Sequence, residues 1–269
     1  MQRIKTDIKC GAFKNVYLLY GAETYLIDYY CNQIISANTD EDTKEFNLLT
    51  MSACVPEESE IDGFINAYPF MTEKKVLCIR NSGILKKATD SQKKFWTEII
   101  ENVPDYAIII FAESEIDKRN AIFKLIDKKH TACEFDFQKP SELASWTVKV
   151  LKSLSKTVSL KDAAYIVELC GPAMQNIRTE IDKLSSFITD RDEINTADIE
   201  QIVTKNIENR VFDMVDDIVE GRNAKALEKL NDLKALNEEP IKIISIIFII
   251  SSWKCYSDFG IVIAIFGVI

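Results

Sequence analysis

The stretch Val16-Tyr-Leu-Leu-Tyr-Gly-Ala-Glu-Thr-Tyr-Leu-Ile27 decides the fold of the first half of this chain. Its apolar run over residues 16–20 predicts a buried strand, Gly21 predicts a tight turn, and the apolar periodicity that starts at Tyr25 predicts a helix. A strand, a glycine turn and a helix in this order form the frame of a phosphate-binding loop.

The phosphate-binding loop itself is incomplete. A working loop needs several glycines so that backbone N–H groups converge on the anion, a lysine for the phosphates, and a serine or threonine for magnesium. Here Gly21 stands alone, Glu23 would repel a phosphate, and Tyr25 is too bulky for the cradle. A later apolar run ends in Ala112-Glu113, which we interpret as a second missing catalytic part. We therefore predict an ATPase-type scaffold with a degenerate phosphate loop that binds no nucleotide and no other cofactor.

Strand and helix patterns alternate over residues 1–140, which predicts a mainly parallel sheet covered on both faces. Strands are expected at 16–20, 45–49, 75–80, 106–112 and 131–137. Helices are expected at about 24–37, 58–67, 89–102 and 118–129. The fold class is thus α/β in the first part of the chain.

Helical patterns alone follow Lys139-Pro140-Ser141, where Ser141 is the expected N-cap. Ser159 and Asp162 predict a capping box, and Gly171-Pro172 predicts a helix end. Beyond them, apolar residues recur at spacings of three and four and predict one buried stripe: Met174, Ile177, Ile181, Leu184 and Ile188. We assign residues 141–207 to a helical domain and residues 208–269 to a second, partial one.

Composition limits the class of protein. Apolar residues make up 47% and charged residues 28% of the chain, which is typical of a globular protein. The net charge of −9 argues against a surface that binds nucleic acid as a whole. Basic residues outnumber acidic ones over residues 74–129, for which a solvated helix face is the preferred interpretation and a weak DNA-facing patch the alternative.

The cysteines and the chain ends bear on location. None of the seven cysteines forms a Cys-x-x-Cys pair, so we expect reduced core thiols, no zinc or other metal site, and a cytoplasmic protein. The N-terminus has no apolar signal segment. The apolar runs 241–250 and 259–269 are each shorter than the roughly 20 residues that span a bilayer.

Four stretches, in this order, carry a resemblance to a known family: residues 16–27, 67–80, 169–199 and 208–241. The chain resembles the delta subunits of bacterial DNA polymerase III, which belong to the sliding-clamp loader. The resemblance covers residues 12 to about 246, and its specificity lies in the order and spacing of the four stretches. It implies an AAA+-like domain over 1–140, a helical lid domain over 141–207, and a truncated helical collar domain for oligomerisation over 208–269.

The resemblance also implies a function. A non-catalytic subunit of this family binds the sliding clamp (the beta subunit) and opens it for loading on primed DNA during replication. The other clamp-loader subunits, gamma/tau and delta prime, are the further partners, and DNA contact is weak and mainly within the complex. No catalytic site is expected here, although the holoenzyme as a whole is a DNA-directed DNA polymerase, a nucleotidyltransferase.

The resemblance places the clamp contact at Pro69, Phe70 and Met71. Position alone would instead favour ordinary core residues at a helix–strand turn, whereas the resemblance favours an exposed anchor. The chain diverges from the family after about Ser245, and we expect weaker assembly with the other subunits. Two alternatives stay open: a nucleotide-binding ATPase-like protein with an unusual phosphate site, and a membrane-associated protein held by its apolar C-terminal tail.

Overall fold

The computed structural model describes residues 2–53, 57–205, 207–219, 222–235 and 244–245. The chain divides into two compact units. Unit 1 contains the residues up to Lys139 together with 173–175, and unit 2 contains residues 140–172 and those from 176 onward. The division of the helical part into separate domains at residue 207 stays a prediction.

Unit 1 is built on a five-stranded sheet with the order β2-β3-β4-β1-β5. All four strand pairs are parallel. The strands are β1 (Val16–Tyr20), β2 (Leu48–Ser52), β3 (Lys75–Arg80), β4 (Ala107–Glu113) and β5 (Thr131–Glu134). The strand β1 sets Tyr17 opposite Ile110 on one side and Thr131 on the other. This sheet confirms the predicted α/β class with a parallel sheet.

Both faces of the sheet are covered by helices, because successive side chains of each strand point to opposite faces and both sets are apolar. In β1, Leu18 belongs to one buried cluster, with Trp96 and Phe111, and Leu19 to the other, with Ile34 and Ile110. The helices of unit 1 are α1 (Gln2–Cys10), α2 (Thr24–Asn38), α3 (Lys44–Asn47), α4 (Glu58–Asn66), α5 (Asp90–Glu101) and α6 (Ala121–Lys129). Helices α1 and α2 cover one face of the sheet, and α4, α5 and α6 cover the other.

Three predictions for unit 1 need correction. The strand expected at 45–49 begins only at Leu48, because a 3-10 turn (Glu41–Thr43) runs into α3 and the Asn47 amide bonds back to the Thr43 carbonyl at 3.2 Å. The strand expected at 131–137 ends at Glu134, since the carbonyl of the next residue turns to accept from the Glu23 N–H. Helix α1 was not predicted at all.

Unit 2 is mainly helical. Its helices are α7 (Pro140–Ser153), α8 (Leu160–Cys170), α9 (Met174–Phe187, in this unit from residue 176), α10 (Thr196–Ile202), α11 (Ile207–Val219) and α12 (Asn223–Ala235). Two short parallel strands that the sequence did not predict, β6 (Thr157–Val158) and β7 (Glu193–Ile194), join its loops.

The helix signals of this region are largely confirmed. Ser159 Oγ accepts from the Asp162 N–H at 3.0 Å, and Gly171 ends α8 with φ +77°. All five residues of the predicted apolar stripe are buried. The N-cap prediction for Ser141 was wrong: α7 already begins at Pro140, because proline is tolerated at the first helical position, and Ser141 lies inside the first turn.

The predictions for the C-terminal stretch fall outside the described residues, apart from 244 and 245, which are helical. The described part of the predicted collar consists mainly of α11 and α12. Among the described helices, none is long and apolar enough to cross a membrane.

Candidate functional site

The turn after β1 is closed against the backbone that follows β5. Gly21 has φ +132°, and a Cβ placed on it would fall on the Phe135 peptide, 2.8 Å from its carbonyl carbon. The Gly21 N–H donates to the Glu113 carbonyl at 3.1 Å, and the Glu23 N–H donates to the Phe135 carbonyl at 2.9 Å. Both of these N–H groups of the turn are therefore bonded to protein carbonyls.

Glu23 places a carboxylate at the start of α2, where a helix N-terminus attracts an anion. The side chain is only 1% exposed. Its Oε1 accepts from the Tyr25 N–H at 3.2 Å, and its Oε2 accepts from the N–H of Met174, a residue of the same compact unit, at 3.0 Å. Burial raises the pKa of Glu23, against the opposing effect of these two hydrogen bonds. The carboxylate fills the position of an anion with a group of the chain itself, and Tyr25 lies half-buried beside it.

Glu113, at the end of β4, is also buried and bonded. Its Oε1 accepts from Ser82 N–H at 3.0 Å and from Ser82 Oγ at 2.6 Å, and its Oε2 accepts from Gly83 N–H at 3.2 Å. Both oxygens thus hold the turn after β3. Within the described part of the chain, no group of three or more His, Cys, Asp or Glu side chains could hold a metal ion.

A second feature is the turn between α4 and β3, residues 67–74, which we call the Phe70 turn. Phe70 is 49% exposed and Met71 is 82% exposed, while Pro69 is half-buried. Met71 has φ +56°, a left-handed conformation that is unusual for a bulky side chain and costs conformational energy. Phe70 and Met71 are therefore open to solvent, unlike the core residues that their position alone suggested.

Side chains from two other elements hold the Phe70 turn. Asn47, the last residue of α3, accepts from Phe70 N–H at 2.7 Å and donates to the Phe70 carbonyl at 2.8 Å. The Lys75 ammonium donates to the Ala67 carbonyl at 3.0 Å and lies 4.0 Å from the centre of the Phe64 ring. Burial lowers the pKa of Lys75. The beginning and the middle of the turn are thus both tied to the sheet domain.

Further exposed aromatic residues lie in or beside the turn. No sequence pattern indicated one of these residues, Phe46. Phe46 is 60% exposed, and its ring centre lies 4.8 Å from that of Phe70. Tyr68 is exposed, and its ring lies 5.1 Å from that of Tyr106. Phe46 was missed because it fell inside an expected strand and lies 24 positions before Phe70, so that only the fold brings the two together.

Comparisons with known proteins identify the family of the chain. Residues 17–138 match the family model "DNA polymerase III, delta subunit", and residues 208–249 match the model of its C-terminal domain, together more than half of the chain. The DNA polymerase III subunit delta of Bacillus subtilis is 29% identical over 251 residues, which are 90% of this chain and 72% of that protein.

Solved structures show the same fold. The Bacillus subtilis DNA clamp loader delta protein YqeN matches with a TM-score of 0.60 and 27% identity, over 91% of this chain and 75% of that one. The Thermotoga maritima RuvB Holliday junction branch migration motor matches with a TM-score of 0.52 and 13% identity, over 81% of this chain and 73% of that one. The second likeness concerns the fold alone.

The parallel sheet, its helical layers and these neighbours place the chain in the class of AAA+-like folds. The family matches then fix its place within that class. The chain belongs to the DNA polymerase III delta family, and it is a clamp-loader subunit of the replication machinery.

Proposed function

We propose that this chain binds the sliding clamp through Pro69, Phe70 and Met71 and opens it for loading on primed DNA. The single observation that carries the proposal is the exposure of Phe70 and Met71 on a turn that buried side chains hold in place. A fully exposed phenylalanine forgoes roughly 2 kcal/mol of burial, and Phe70, at 49% exposure, forgoes about half of that. An apolar pocket on the clamp would recover it, and Met71 would add adaptable packing beside the ring.

The chain acts in this proposal without nucleotide of its own. Gly21 N–H and Glu23 N–H are bonded to carbonyls, and the Glu23 carboxylate caps α2. These contacts support a subunit that leaves ATP to other subunits of the loader. Its proposed partners are gamma/tau and delta prime, and its proposed location is the cytoplasm. They weigh against the alternative of an ATPase-like protein with an unusual phosphate site.

The test is the affinity of the purified chain for its cognate immobilised clamp. Phe70→Ala should weaken binding at least tenfold, or about 1.4 kcal/mol, because one anchor of an interface often carries that much. The thermal midpoint should change little, since about half of the side chain is exposed and its ring contacts Phe46, which is itself 60% exposed. Phe187→Ala is the matched control, because Phe187 is also about half exposed but lies in unit 2.

A variant that melts early and binds the clamp normally once folded would show that Phe70 is a core residue and would refute the contact. Clamp opening is measured separately, as release of the clamp from circular DNA by the wild-type chain and by Phe70→Ala. Release at equal rates by both proteins would contradict the opening role of this turn.

A further inference from the structure

The short helix α3 lies against the Phe70 turn although it is far from it in sequence. We propose that α3 is the second half of the clamp-contact surface, with Asn47 as the residue that positions Phe70 and Phe46 as an additional contact residue. The inference rests on the proposed clamp contact and extends it to two residues that lie outside the predicted set.

Asn47 is suited to position a single peptide. Its side chain is fully buried, and its Oδ1 and Nδ2 bond the N–H and the carbonyl of the same residue, Phe70, at 2.7 and 2.8 Å. Nδ2 also donates to the Thr43 carbonyl at 3.2 Å, which ties the amide to its own helix. A neutral amide is needed here, because an aspartate lacks the donor and an alanine lacks both groups.

The Phe70 turn needs such a restraint. Met71 holds a left-handed conformation that a free turn would leave. The bonds that hold this turn include those from three side chains: Asn47 at its centre, Lys75 at its start, and Thr72, whose Oγ1 donates to the Lys74 carbonyl at 2.9 Å. A contact loop that is ordered before binding loses less entropy on binding, which favours affinity.

Phe46 widens the apolar face that the turn presents. It precedes Asn47 directly, it is more exposed than Phe70, and the two rings contact at a centroid distance of 4.8 Å with 47° between their planes. One side of the Phe70 ring is therefore covered by Phe46, and the partner can cover only the other side. The occupant that fits is an apolar pocket of the clamp wide enough for both rings, since the family to which the chain belongs supplies clamp-loader subunits.

The experiment compares clamp affinities of the full chain and four variants by surface plasmon resonance. Asn47→Ala should bind about tenfold more weakly, and Phe46→Ala about fivefold more weakly, with Phe70→Ala as the reference. In the double variant Asn47→Ala/Phe70→Ala, the loss of Asn47 should add almost nothing, because no anchor remains to be positioned.

Two further measurements separate positioning from general stability. Hydrogen exchange over residues 67–74 should be faster in Asn47→Ala, while exchange over β4 should not change. Asn120→Ala is the matched control, because Asn120 bonds backbone in the same way, to Ile122 N–H and to the carbonyls of Ile84 and Leu85, away from the Phe70 turn. It should lower stability and leave clamp affinity unchanged. If Asn47→Ala does not fold, Asn47→Ser replaces it, since a hydroxyl cannot reach both atoms of Phe70.

The outcomes are distinct. Wild-type affinity of both α3 variants, with weakened Phe70→Ala, would overturn this inference and leave the proposed clamp contact standing. An equal loss of clamp affinity from Asn47→Ala in the wild-type chain and in the Phe70→Ala variant would also overturn it, because it would show a general structural role for Asn47. Wild-type affinity of Phe70→Ala would refute the clamp contact itself.

Discussion

Gly21→Ala is the sharpest test of the closed phosphate loop. At φ +132°, an alanine occupies a conformation that side chains rarely adopt, which costs roughly 1–3 kcal/mol. Its Cβ would also overlap the Phe135 peptide, and overpacking of this kind costs roughly 1–3 kcal/mol more. Because the obstacle is backbone rather than a flexible side chain, both costs apply, and we expect a loss of about 4 kcal/mol, the middle of their combined range.

Two other glycines provide matched controls. Gly63 lies inside α4, and an added Cβ there would have open space around it, so Gly63→Ala should stabilise by about 0.5–1 kcal/mol. Gly83 has φ +73° and similar open space, so Gly83→Ala should cost about 1–2 kcal/mol from conformation alone. The series therefore separates helix propensity, backbone strain, and strain with overlap.

The assay is urea unfolding of unit 1, followed by Trp96 fluorescence in a Trp146→Phe/Trp253→Phe background. Trp96 is buried in unit 1, so its signal reports that unit. With an m value of about 2 kcal/mol/M, the Gly21→Ala midpoint should fall by about 2 M. Millimolar Mg-ATP should move no midpoint, since a ligand that bound the native state would stabilise it. A Gly21→Ala midpoint equal to that of Gly83→Ala, or a wild-type midpoint raised by Mg-ATP, would refute the closed loop.

Two more predictions concern buried groups. Burial raises the pKa of Glu23 above its ordinary 4.5. The wild type should therefore lose stability relative to Glu23→Gln as the pH rises from 4 through the folded pKa. Urea unfolding of both proteins between pH 4 and 8 checks this, and a stability difference that is constant with pH would contradict it. Ile181→Ala should lower the free energy of unfolding by ~2–5 kcal/mol, because Ile181 is fully buried. The control Leu160→Ala, at an exposed position, should lower it by less than about 0.5 kcal/mol. Equal thermal midpoints of the two variants would contradict the assignment of the stripe to the core.

The sheet was predictable because its strands are continuous apolar runs bounded by turn residues. The predictions at 16–20 and 75–80 match β1 and β3, and the expected layers of helix follow. The errors lie where a side chain overrides the local pattern. The stretch 45–49 has a strand-like pattern, but its first residues are helical, with the Asn47 amide closing on Thr43. The end of β5 is set by a bond from Glu23, which lies more than a hundred residues earlier.

The candidate site could be found only in part. The exposure of Phe70 and Met71 agrees with the family resemblance, and local sequence would have placed both in the core. No short sequence pattern predicts the other parts of the site, which are Phe46, Asn47 and the hydrogen bond from Lys75 to the turn. They come from other elements or depend on burial. Long-range contacts of single side chains are therefore the part of the site that the sequence could not supply.

The two acidic residues that the sequence placed in a degenerate nucleotide site show why residue type alone is a poor guide to chemistry. Glu113 stands where a magnesium-binding acid would stand, yet both of its oxygens bond the turn after β3. Glu23 has the charge that should exclude it from a phosphate loop, yet its carboxylate caps the helix that would have received the phosphate. In each case the carboxylate accepts from backbone N–H groups, which need an acceptor where they are buried. At the start of α2 the acceptor is thus part of the chain itself, and a charged acceptor makes stronger hydrogen bonds than a neutral one.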